Sequence, residues 1–65
     1  MRIDLFGYGP GVLLTEQELA VAIHVSRRTL QYWRQAERGP EYMRAGRHVR
    51  YRVSDVIEWL EKQDG

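Results

Sequence analysis

The sequence predicts a small α+β fold, mostly α: three short helices and a two-stranded β-hairpin, with a possible N-terminal strand. Three observations predict it. Polar cap residues stand before three stretches in which apolar residues recur at helical spacing. A glycine-containing turn separates two short strand-like stretches, and glycines with a proline break up the first eleven residues.

Residues 1–11 read as an arm and residues 12–65 as the domain. In the arm, Ile3 and Leu5 alternate with Arg2 and Asp4 as in a short strand, after which Gly7, Gly9, Pro10 and Gly11 interrupt regular structure. Thr15 followed by Glu18 forms a capping box, and Leu14 with Leu19 a hydrophobic staple. The first helix then runs to about Ile23, with Leu19, Ala20 and Ile23 on one face. Ser26 caps a second helix, with Val25 and Leu30 as its staple; it runs from Arg27 to about Arg38 and is stopped by Gly39-Pro40. Leu30 and Trp33, with Ala36 as a third position, give it a buried stripe. Tyr42 to Arg44 and Val49 to Tyr51 read as strands around a turn that Gly46 relaxes, with Met43 on the core side and Arg44 and Arg50 facing out. A lone hairpin is marginal in water, so this one must lean on the helices. Ser54 caps a third helix from Asp55 to about Gln63, with Val56, Ile57 and Leu60 as its apolar face and Val53 just ahead. Trp59 borders that face, where closing the core is a commoner task than holding a ligand.

Sixty-five residues make one domain near the lower size for unaided folding, with roughly 3–5 kcal/mol of net stability to be expected. Without cysteine there is neither a disulfide nor a thiolate metal site, and His24 and His48 have no second ligand at metal spacing. No nucleophile–base pair or phosphate-cradling glycine loop is visible, so the chain reads as a non-enzyme without cofactor. Glu16, Glu18, Glu58 and Glu61 look like helix caps and solvated faces. No stretch is long and apolar enough to span a bilayer and no signal peptide opens the chain, which makes a cytoplasmic location the default.

The net charge of +1 conceals an asymmetry. From Arg27 to Arg52, eight arginines face two acids, a local charge of +6; elsewhere two cations face seven acids, or −5. A solvated arginine face would give the same count, but nine of the ten cations are arginine, the side chain suited to bidentate phosphate and guanine contacts. Only His24 and Val25 separate the first two helices, and so tight a connection before a basic helix reads as a helix-turn-helix. With the hairpin as a wing, the predicted fold is a winged helix-turn-helix and the predicted partner is double-stranded DNA. In this motif class the start of the second helix points at base edges. Arg27, Arg28, Gln31 and Tyr32 are placed there, and Arg34 and Gln35 follow one turn on. Ser26 and Thr29 can donate to phosphate oxygens, though the Thr29 methyl could equally pack on the first helix. On the wing, Arg47 can enter a minor groove and Arg44, Arg50 and Arg52 suit flanking phosphates. His48 at the tip could add charge, but a solvated turn histidine is the commoner case.

Taken as an ordered set, Leu14-Thr15-Glu16-Gln17-Glu18-Leu19-Ala20, Val25-Ser26-Arg27-Arg28-Thr29-Leu30-Gln31-Tyr32-Trp33, Gly39-Pro40, Gly46-Arg47, Tyr51-Arg52 and Ser54-Asp55-Val56-Ile57-Glu58-Trp59-Leu60 resemble the excisionase family of winged-helix proteins. The layout is also similar to the DNA-binding head of MerR-type regulators. The resemblance runs from Leu14 to about Lys62 and leaves the arm outside it. It implies a recombination directionality factor of a phage or integrated element, which bends attachment-site DNA, helps a phage-type integrase excise, and binds side by side on repeated sites in a bacterial cell. By position it puts groove-reading side chains at Arg28, Tyr32 and Gln35 and the minor-groove contact at Arg47. The residues read by themselves favour Arg27, Arg28 and Gln31, so Arg28 is common to both. The chain ends just past the third helix, where some excisionases carry an integrase-contacting tail; here that tail is absent or trimmed away. A chain this short leaves no room for an effector domain, which favours an architectural role over a ligand-sensing regulator. A small transcriptional regulator of the same fold is the nearest rival, and a module using its arginines on an acidic protein partner is a more distant one.

Overall fold

The computed structural model describes residues 7–64. Its elements are β1 (Leu13–Thr15), α1 (Glu16–Ala22), α2 (Arg27–Gln35), β2 (Met43–Ala45), β3 (His48–Arg52) and α3 (Val53–Asp64). Three helices and the β2–β3 hairpin match the expected fold. The hairpin gains a third strand, β1, giving an antiparallel sheet of order β1-β3-β2. β1 lies beyond the arm, immediately before the first helix; the Ile3–Leu5 stretch expected as a strand lies outside the described residues.

Helix α1 begins as its sequence dictates. The Glu18 N–H donates to Thr15 Oγ1 at 3.0 Å and the Thr15 N–H to Glu18 Oε1 at 2.8 Å, while Leu14 and Leu19 are both buried. The backbone and side-chain bonds from Thr15 hold the Glu18 carboxyl below its ordinary range.

Both α1 and α2 end on a left-handed residue that is not glycine: His24 at φ 59° and Glu37 at φ 57°. After α1, the His24 N–H reaches Val21 O and the Val25 N–H reaches Ala20 O; after α2, the Glu37 N–H reaches Arg34 O and the Arg38 N–H reaches Trp33 O. Each pair closes a Schellman cap. Helix α2 therefore stops at Gln35, three residues short of the predicted end, and Ala36 is its exposed C-cap rather than part of the buried stripe. Gly39 does not terminate the helix. Its φ of 79° lays the backbone against Trp33, where an added Cβ would sit 3.0 Å from the ring. Because an L side chain in the left-handed region costs on the order of 1 kcal/mol, His24→Gly and Glu37→Gly should each stabilise the domain by roughly that amount. Thermal melts of the two variants check this.

Helix α3 starts at Val53, one residue before the serine expected to cap it. Its first N–H groups are bonded by main chain: Val53 N–H to Val12 O and Ser54 N–H to Pro10 O, each at 3.0 Å. The segment before β1 thus caps α3, and a side-chain cap is not required there.

The core gathers Leu14, Leu19, Ala20, Ala22, Ile23, Leu30, Tyr51, Val53 and Val56, with Trp33, Ile57 and Leu60 packed against it. Trp59 packs at a tilt on Trp33, centroids 5.4 Å apart, which joins α3 to α2. Leu14 lies opposite Tyr51, so these two and Val49 define the inner face of the sheet. Met43 lies opposite Arg50, and Arg44 opposite Val49. Directly opposed residues share a face, so the expectation of Met43 inside and Arg44 outside is reversed: Met43 joins Arg50 on the outer face, and Arg44 lies on the inner face at its edge. The strand is too short for its own alternation to decide parity; the buried Tyr51 decides it.

Candidate nucleic-acid interface

At about 100° per residue, Leu30 and Trp33 fix the buried side of α2. Arg28, Tyr32 and Gln35 then fall on the opposite side, and all three are exposed, Tyr32 at 60%. Arg27, Gln31 and Arg34 form a neighbouring stripe turned toward the hairpin. Together with Arg47, His48 and Arg50 of the wing, and Gln17 at the start of α1, this second stripe lines one open groove. Two arginine-bearing elements, distant in sequence, therefore converge on a common surface. Of the residues favoured by sequence alone, Arg27 and Gln31 lie on the wing-facing stripe, while Arg28 shares the outward stripe with Tyr32 and Gln35.

The wing tip is a two-residue loop, Gly46-Arg47, between the paired residues Ala45 and His48. Positive φ occurs at Gly46 (66°) and not at Arg47, the pattern of a type II′ turn, which holds Arg47 at the apex. Arg50 crosses toward Thr15 of β1, and its Nη1 donates to its neighbour's carbonyl, Val49 O, at 2.8 Å. Two wing arginines stand outside the groove. Arg44 reaches over the Tyr42 ring, 5.9 Å from its centroid, and Arg52 lies opposite Leu13 at the far end of β3.

Ser26 and Thr29 are engaged with each other. Ser26 Oγ accepts the Thr29 N–H at 3.0 Å and lies 2.8 Å from Thr29 Oγ1, so the serine is the N-cap that the sequence predicts. Arg34, expected among the DNA-contacting side chains, is instead largely covered, its side chain 17% exposed. Its Nε donates to Glu16 Oε2 at 3.2 Å, and the Tyr51 hydroxyl donates to the same oxygen at 3.4 Å. Burial opposes the charge on Arg34, yet the bond and charge of Glu16 raise its pKa. On its other side the guanidinium stands 5.9 Å from the Tyr42 centroid.

Glu16 corrects the sequence reading most. It was expected on a solvated face, and it is 7% exposed between α1, α2 and β3. No spacing rule could have found it, because its partners lie 18 and 35 residues away. Glu58 does match expectation, in an exposed ion pair with Lys62.

Burial, and after it the Glu16 carboxylate, pushes the Tyr51 phenol up to about 12. The folded state thus favours the protonated phenol more than the unfolded chain does, whose tyrosine titrates near ~10. The associated stability is complete below about pH 10 and is lost as pH rises toward about 12, on the order of 2–3 kcal/mol. Melting temperatures between pH 9 and 12 should fall more steeply for the parent protein than for Tyr51→Phe.

Helix α1, the turn from Ile23 to Ser26 and α2 make a helix-turn-helix, and β2 with β3 makes its wing: the class is a winged helix-turn-helix DNA-binding module. The chain belongs to the helix-turn-helix domain family, whose model matches residues 13–64. No curated protein matches it. Among the described residues no three His, Cys, Asp or Glu side chains gather as a metal site, and no helix is long and apolar enough to cross a membrane.

Proposed function

We propose that this chain recognises specific duplex DNA as an excisionase, bending attachment-site DNA and directing a phage-type integrase toward excision. The observation that carries the reading is the shared groove of α2 and the wing tip. A helix in the major groove with an arginine-tipped wing in the adjacent minor groove grips two points along the duplex, an arrangement suited to bending it. The ordered residue pattern described above supports the excisionase role in particular.

In this reading Arg28, Tyr32 and Gln35 face base edges, with Arg27 and Gln31 at the wing side of the same groove. Arg47 enters the minor groove, where arginine responds to width more than to sequence. His48, Arg50, Arg44 and Arg52 track flanking phosphates. The Ser26–Thr29 pair sits at the helix start, where backbone N–H groups favour a phosphate. Copies bind side by side on repeated sites, in the bacterial cytoplasm. Footprinting on attachment-site DNA, with and without integrase, tests this. Repeated, phased protection and a requirement for the protein in excision are expected. Protection confined to a promoter, with excision unaffected, would instead identify a transcriptional regulator.

A further inference from the structure

We infer that Glu16 sets how tightly the DNA-facing groove holds DNA of any sequence: it withholds Arg34 from indiscriminate phosphate contact. The inference rests on the DNA-binding reading of that groove. One carboxylate faces two guanidinium groups of the recognition helix, at 3.2 Å from Arg34 Nε and 3.9 Å from Arg27 Nε. Their side chains differ in exposure, 17% for Arg34 against 61% for Arg27. Arg27 is thus free to turn outward, whereas Arg34 is held from both sides, by Glu16 and by the Tyr42 ring.

Stability alone does not account for this acid. Taking a carboxylate and a guanidinium out of water costs about as much as their attraction returns, and an apolar pair of the same volume would serve the fold as well. For raw affinity it is counterproductive, since a negative charge in a groove that meets phosphates repels them. Its consequence falls on the sequence-independent part of binding. Non-specific binding is carried by arginine–phosphate contacts and grows with each arginine free to make one. Base-edge contacts from the outward stripe of α2 do not depend on Arg34. Neutralising Arg34 therefore lowers binding to all sequences while leaving the means of discrimination intact. The bond from Tyr51 keeps the carboxylate in place, so the restraint is built into the core rather than into a mobile surface pair.

The test is Glu16→Gln, which removes the charge and retains an acceptor oxygen for Arg34 and Tyr51. Binding is measured from 0.05 to 0.3 M salt on a random-sequence duplex and on the tightest duplex selected from a randomised pool. One arginine released to phosphate steepens the log K against log[salt] slope by about 0.9, or ~8-fold tighter binding to the random duplex at 0.1 M salt. The ratio of selected to random affinity should stay close to the parent value, because a phosphate contact weights every sequence alike. Glu16→Gln/Arg34→Gln, with no cation to release, should return the slope to the parent value. An unchanged slope in Glu16→Gln, or weaker binding to every duplex without a change in slope, would overturn the proposal and leave Glu16 a purely structural acid. A steeper slope persisting in the double variant would overturn the assignment to Arg34. If the parent protein itself shows a flat salt dependence, the DNA-binding reading fails first, and the two failures are distinguishable.

Discussion

Leu30→Ala is expected to leave a large fraction of the protein unfolded and to abolish DNA binding at ordinary concentrations. Leu30 is 1% exposed and is the deepest contact of α2 with the body of the domain. Truncating a buried leucine removes its transfer energy and leaves a cavity, together ~2–5 kcal/mol. A domain of this size, without disulfide or metal, has roughly 3–5 kcal/mol in total. The recognition helix is nine residues long, too short to persist in isolation, so its geometry is inseparable from that anchor. Circular dichroism melts of Leu30→Ala should show a broad, low-temperature transition or none. Val21→Ala is the control: Val21 is 66% exposed on α1, and its loss should change stability by no more than about 0.5 kcal/mol.

Arg28→Ala should leave stability close to that of the parent and relax base preference at one or two positions, at a cost of ~1–3 kcal/mol of discrimination. Arg28 is exposed and points away from the buried stripe of α2. A guanidinium presented from the first turn of a groove-bound helix matches guanine O6 and N7 in bidentate fashion. Arg47→Ala should separate from it cleanly, reducing affinity and bending on all sites while preserving the major-groove preference. Selection from a randomised pool, with electrophoretic bending assays, measures both. Equal weakening on every sequence for Arg28→Ala would make it a phosphate contact only.

Local chemistry was legible wherever neighbours in sequence are neighbours in space. The Thr15–Glu18 box, the Ser26 cap, the Gly46 turn and the apolar face of α3 each involve residues a few positions apart, and each appears as the sequence implies. The helix ends were less legible. Positions 24 and 37 hold histidine and glutamate, which mark a left-handed cap far less plainly than glycine would. Sheet parity is hidden for a related reason: three residues of β2 cannot reveal which side is buried until Leu14 of β1 is paired with Tyr51 of β3.

By itself the sequence determined the fold class, the first two helix starts, the tight turn between the first two helices and the basic character of α2 and the wing. Those follow from caps, apolar spacing and composition, whose energies are set within a few residues. Tertiary structure alone decided which arginines are offered outward and which are held. Arg28 and Arg34 are chemically identical in the sequence, yet one faces solvent and the other is clamped by Glu16, Tyr51 and Tyr42. That difference comes from charges and rings supplied by α1, by the segment before β2 and by β3, brought together only when the core closes.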